Sequence, residues 1–119
     1  MSIRRIDVGP RMSQAVVHGK TVYLAGQVAA DPSADVTGQT EQAMANIKML
    51  LEEAGSELAH ICKITIYIVD PRYRETVYRT VGKWLKGVFP VSTGIVISAL
   101  ARPEWLVEVD AIAVIPDAA

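Results

Sequence analysis

Residues 22–25, 95–97 and 111–115 carry apolar side chains at consecutive positions, with no polar residue between them. Successive side chains of a strand point to opposite faces, so such a run needs cover on both sides. The rest of the chain offers only two helix-patterned segments, enough to cover one face of a small sheet. The second face therefore calls for a partner, and another copy of the same chain is the simplest one.

Composition agrees with an unfilled need for burial. Half of the 119 residues are apolar and 21% are charged, and the mean hydropathy is +0.24. The length fits one domain over residues 1–119. A monomer of 12.9 kDa keeps roughly 6,300 Å² of accessible surface, against about 18,700 Å² for the extended chain, which leaves enough burial for a core without disulfide or metal staples. No apolar run is long enough to span a bilayer. Lys plus Arg is 12 and Asp plus Glu is 13, a net charge of −1, so charge makes no case for nucleic acid or an anionic membrane as a partner. The single cysteine, Cys62, excludes an intramolecular disulfide and a cysteine-based zinc site. Arg4 and Arg5 are followed by no apolar segment of the signal-peptide kind, and a cytoplasmic location is expected.

The elements are expected in the order β-β-β-α-β-α-β-β. Residues 3–7 form a short first strand. Residues 15–18 and 21–25 flank Gly19-Lys20 as a tight hairpin. Asp31-Pro32-Ser33 and Thr37-Gly38 punctuate a loop. Ala43, Met44, Ile47, Leu50, Leu51 and Ala54 recur every three or four positions as one helical stripe, and Gly55 supplies its C-terminal stop. Alternation over 61–69 places Cys62, Ile64, Ile66 and Ile68 on the face turned to the helices. After Asp70-Pro71, the residues Tyr73, Val77, Val81 and Trp84 form a second stripe that ends at Gly87. Strands 92–99 and 105–115 close the domain around the loop of Ala101, Arg102, Pro103 and Glu104.

Chemistry concentrates on the last strand. Glu108 and Asp110 share one of its faces amid Val107, Val109, Ala111 and Ile112. Burial disfavours ionised carboxylates and raises their pKa, which suits general acid or base work; the alternative is a wet strand end. His18 and His60 lack metal-ligand spacing and read as solvated. Cys62 reads as a buried, inert thiol. Arg72, Arg74, Arg79, Lys83 and Lys86 on the second helix oppose only Glu75 and read as a solvated face, the alternative being that part of this patch lines a cleft for an anion. Ser92, Thr93 and Gly94 offer hydroxyls and backbone N–H groups, or are ordinary strand-start residues. No phosphate-binding glycine loop and no Ser-His-Asp arrangement is present.

Leu24-Ala25-Gly26-Gln27-Val28, Phe89-Pro90-Val91-Ser92-Thr93 and Glu108-Val109-Asp110-Ala111-Ile112-Ala113-Val114, at these distances and in this element order, resemble the RidA/YjgF family over about residues 12–115. The resemblance implies an α+β, chorismate-mutase-like fold with two helices on one face of the sheet. It also implies a homotrimer with a central barrel, and a cleft for a small metabolite at each subunit interface. The activity it implies is enamine and imine deamination without a cofactor or metal. Carried over residue by residue, the water-positioning glutamate falls on Glu108 and the glycine offering backbone contacts on Gly26. The serine before it becomes Ala25, and the pocket-edge tyrosine falls near Met12 beside Arg11. The arginine that clamps the substrate carboxylate becomes Ser92, and the cysteine two residues on becomes Gly94. The chain thus resembles an arginine-lacking branch, for which deamination is not implied. The expected cleft set is Met12, Ala25, Gly26, Tyr78, Arg79, Ser92, Thr93, Gly94 and Arg102 around catalytic Glu108, with Arg11, Arg79 and Arg102 as alternatives for the missing cation. Truncating one partner of a desolvated ion pair costs about 2–5 kcal/mol, so the loss at 92 bears on function. Three readings follow: a deaminase, a non-catalytic ligand-binding or regulatory trimer, and a different hydrolase or lyase in the same cleft. Endoribonuclease and translation-inhibitor labels also attach to the family, and the charge balance gives them little support.

Overall fold

A computed structural model of the chain describes residues 2–117. The strands are β1 (Ile3–Val8), β2 (Ser13–His18), β3 (Thr21–Leu24), β4 (Ile61–Ile68), β5 (Val91–Val96) and β6 (Val107–Val114), and the helices are α1 (Val36–Ala54) and α2 (Arg74–Trp84). They build one six-stranded sheet in the order β1-β2-β3-β6-β4-β5. Neighbours are antiparallel except β4 and β5, which run parallel. The connection between those two passes through α2, as a parallel crossover requires. The final strand inserts between β3 and β4 and joins the first three strands to the β4-β5 pair.

Both helices lie on one face. From α1, Met44, Ile47, Leu50 and Leu51 are fully or almost fully buried, as are Val77 of α2 and Ile64, Ile68, Val107 and Val109 of the sheet. Each such side chain contributes about 1.5–3 kcal/mol of burial. Trp84 Nε1 donates to Glu41 Oε2 at 2.9 Å and ties the two helices together. Gln39, completely buried, donates to the carbonyls of Pro32, Ala34 and Glu104 and accepts from the Leu106 N–H. It thereby fastens the start of α1 to the loop that enters β6.

Among the described residues no element covers the opposite face. Tyr23, Ile95 and Val114 stand on it with 47%, 39% and 37% of their surface exposed. The molecule is a slab of 42 × 36 × 20 Å, and its 6,893 Å² of surface exceeds the roughly 6,300 Å² of a compact monomer of this mass. The edge strand β5 is exposed along its whole length.

Three local expectations are corrected. Thr37 and Gly38 are not loop residues. Helix α1 begins at Val36, because Asp35 caps it by accepting from the Gly38 N–H at 2.8 Å. Cys62 is exposed rather than turned to the helices, because an irregularity between Ile61 and Lys63 shifts the register and gives the buried position to Ile61. The stripe from Tyr73 starts as a 3-10 turn over Pro71–Tyr73, and the α-helix proper follows it. Gly19 takes φ 63° in the hairpin turn and Gly55 φ 93° after α1, both as expected.

Candidate functional site

Glu108 stands on the uncovered face in the middle of the sheet. Its strand alternates buried Val107, Val109, Ala111 and Ala113 toward the helices with half-buried Glu108, Asp110 and Ile112 on the other side. Register carries that face across to β4, where Tyr67 lies opposite Glu108 and Thr65 opposite Asp110, and on to Thr93 of β5. Next to β6, the segment after β3 bonds to it in both directions, Gln27 N–H to Val109 O at 2.8 Å and Val109 N–H to Gln27 O at 3.1 Å. Gln27 is itself buried and donates through Nε2 to Gln14 Oε1 at 2.9 Å and Ala25 O at 3.1 Å. This holds Gly26 directly against Glu108. A Cβ at position 26 would overlap the Glu108 carboxylate, so only glycine leaves room for the acid in this position.

The electrostatics follow from that packing. Loss of hydration raises the Glu108 pKa above the ordinary carboxylate value, and the Asp110 charge adds to the rise. Tyr67 Oη donates to Asp110 Oδ2 at 3.3 Å. Its phenol pKa is raised too, first by loss of hydration and then by Asp110. The pair of acids singled out by alternation is thus a three-residue cluster with Tyr67. Sequence reasoning missed this tyrosine, and Gln27 with it, because a strand-to-strand register is not visible in one sequence.

Ser92 and Gly94 occupy the other face of the sheet. They pair with the buried Ile64 and Ile66, and Ser92 lines a cleft of about 480 Å³ together with Tyr78, Val81, Leu85, Lys86, Phe89 and Pro90. The Tyr78 hydroxyl fills the space above Gly94, where a Cβ would overlap it. Lys86 is the one cation of the basic patch on this cleft. The three arginines are used locally, Arg72 with Asp70, Arg79 with Glu75 at 2.8 Å, and Arg74 over the Tyr78 ring at 5.1 Å, and Lys83 borders a separate hollow with Glu41 and Trp84. The Asp70 carboxyl is held down to about 2, first by its hydrogen bonds from the Arg72 side chain.

Within one chain, then, the expected site residues fall into two groups. Glu108, Gly26, Ala25 and Thr93 belong to the open face and its margin, whereas Ser92, Gly94 and Tyr78 belong to the helix side, where Ser92 and Tyr78 line the cleft. Arg79 is paired on α2, and Arg102 pairs with Glu104 at 3.5 Å and lies over Trp105 at 5.5 Å. Met12 is 41% exposed on the turn before β2. His18 is exposed as expected, but His60 is half-buried, and its Nδ1 is shut off from solvent without a partner.

The family model described as Endoribonuclease L-PSP matches residues 2–115. Among curated proteins, Protein DfrA of Myxococcus xanthus is 36% identical over 115 residues, covering 90% of this chain and 86% of the relative. The mouse protein named 2-iminobutanoate/2-iminopropanoate deaminase is 33% identical over 113 residues, covering 90% and 82%. Among solved structures, a member of the YjgF protein family from Neisseria meningitidis superposes with a TM-score of 0.94 at 33% identity, covering 99% of this chain and 98% of that one.

Proposed function

Because the chain belongs to the endoribonuclease L-PSP family, that of the RidA/YjgF proteins, we propose that it is a Rid-type homotrimer that binds a small metabolite where two subunits meet, with Glu108 positioning water to hydrolyse an enamine or imine. The observation that carries this reading is the Glu108 carboxylate set against bare Gly26, with its pKa raised by loss of hydration. A carboxylate in that state takes a proton more readily than an exposed one, which favours general base catalysis. Glu108 accepts a proton from water as the water oxygen bonds to the C=N carbon. Glu108 returns that proton to the nitrogen to give the carbinolamine, whose hydroxyl proton then passes to nitrogen as the C–N bond breaks, releasing ammonia and leaving a 2-oxo acid. The name of the mouse relative describes this chemistry for that protein.

The test generates 2-iminobutanoate in situ and follows 2-oxobutanoate and ammonia. Acceleration over buffer that disappears in Glu108→Gln supports the reading. No acceleration by the native chain overturns it, and acceleration retained in Glu108→Gln overturns the role of the glutamate.

A second reading, a non-catalytic ligand-binding trimer, is favoured by the chemistry of the helix-side cleft. Ser92 stands where the resemblance implies an arginine, and the rest of the lining is mostly apolar. Saturable binding of a metabolite, read as a rise in Tm, without turnover would select this reading.

A further inference from the structure

The turn between β1 and β2 carries a groove of about 420 Å³ lined by Arg5, Arg11, Met12, Ser13 and Val16, with no acidic residue in its lining. Among the described residues neither guanidinium enters an ion pair with a carboxylate. Arg11 has only a 4.0 Å contact from Nη2 to Met12 Sδ. Every other arginine except Arg4, which donates to the Glu53 carbonyl, is paired with an acid or stacked on an aromatic ring. The groove therefore concentrates the two guanidiniums that, among the described residues, have neither an acidic nor an aromatic partner and bond to no carbonyl.

The groove also lies on the face that carries Glu108. Arg5 pairs with Val16, Val16 with Tyr23, and Tyr23 with Ile112, each pair sharing a face, and Ile112 is on the Glu108 side of β6. Arg11 is level with the acid along the strands. Ala25 N–H bonds to Gln14 O, and Gln27 pairs with Val109, so the turn before β2 ends beside the segment that holds Gly26 against Glu108. The turn is two strand spacings, about 10 Å, from β6. An extended arginine side chain and a small ligand together bridge that distance.

We infer that Arg11 binds the carboxylate of a small 2-oxo or 2-imino acid on the Glu108 face, in place of the cation that position 92 lacks, with Arg5 adding positive charge to the same groove. Arginine suits the task because its planar fork binds a carboxylate through two parallel hydrogen bonds. The identity of the ligand rests on the reading of Glu108 given above; the anion site rests on the groove. Position 92 opens onto the opposite face of its own chain, so these arginines approach the ligand from the glutamate's side.

The probe is 2-oxobutanoate, with its uncharged methyl ester as the control, titrated into the full-length chain by calorimetry. The arginine Nε–H signals are followed by NMR in parallel. Saturable binding is expected for the acid and not for the ester, weakening with added salt. Arg11→Gln is expected to raise Kd about tenfold or more, as loss of a charge-assisted hydrogen bond implies, and Arg5→Gln to raise it by less. Both side chains belong to exposed residues, so the variants keep the fold. Absence of saturable binding, equal binding of the ester, or an unchanged Kd in Arg11→Gln overturns the inference. Turnover of the imine by the native chain decides the Glu108 reading separately.

Discussion

At the residue scale, the contact between Gly26 and Glu108 separates function from stability. In Gly26→Ala the new methyl group collides only with the mobile end of the glutamate side chain. The expected result is a Tm close to wild type, with imine hydrolysis reduced at least as far as a misplaced catalytic group implies, about 100-fold. A parallel fall in Tm would mean that residue 26 serves the fold. Glu108→Gln, in contrast, carries a prediction for stability itself. The folded-state pKa of Glu108 is raised by loss of hydration, so the ionised carboxylate is less favourable in the folded chain than in the unfolded one. The stability linked to its protonated form is complete below the ordinary carboxylate range and is lost as pH rises through the folded-state value. Glu108→Gln should therefore melt above wild type at about pH 7.5, and that gain should vanish at about pH 3.5, where both forms of the site are neutral. Scanning calorimetry at the two pH values decides it. The strand's alternation and the Gly-Gln mark made both residues visible in the sequence. Tyr67 was not visible, because its bond to Asp110 spans 43 positions and depends on which strand lies beside β6.

At the element scale, the start of α1 is the most instructive difference between pattern and structure. The apolar stripe is legible only from Ala43, and Thr37-Gly38 has the composition of a loop. The helix nevertheless extends back to Val36, since Asp35 satisfies the Gly38 N–H and buried Gln39 bonds to four backbone groups around it. Asp35→Ala should cost about 1 kcal/mol, read as a lower urea midpoint with an unchanged m-value. An unchanged midpoint would assign the start of the helix to Gln39 alone. Cys62 shows the opposite failure. Alternation predicted a buried thiol, and one irregularity in β4 turned it outward. Periodicity and turn residues thus placed both helices and most of the strands, but bulges and caps set faces and ends through partners that the pattern does not show. The strand order, with β6 between β3 and β4, lies in no local pattern at all.

At the scale of the whole molecule, the apolar runs and the two groups of site residues lead to the same requirement. Runs 22–25 and 111–115 bury one side against α1 and leave Tyr23, Ile112 and Val114 on the open face, which two helices cannot reach. Glu108 is on that face as well, while Ser92 and Tyr78 line a cleft on the other and Gly94 lies beneath the Tyr78 hydroxyl. A six-stranded sheet separates them, so no side-chain motion within one chain brings Glu108 to Ser92. A site that uses both needs the glutamate of one copy and the cleft of the next. Contacts of that kind are heterologous, and they close into rings when the rotation allows. The proposed trimer makes a quantitative prediction on this basis. Chains bearing Glu108→Gln and chains whose cleft is blocked by Ser92→Trp should each be inactive as pure trimers. After unfolding and co-refolding in equal amounts, a random assortment pairs an intact glutamate with an intact cleft at about a quarter of the interfaces. Imine hydrolysis should then return to about a quarter of the wild-type rate. Simple mixing without refolding should restore little unless subunits exchange. Recovery absent from a co-refolded sample that light scattering shows to be trimeric would confine the working site to a single face of a single chain.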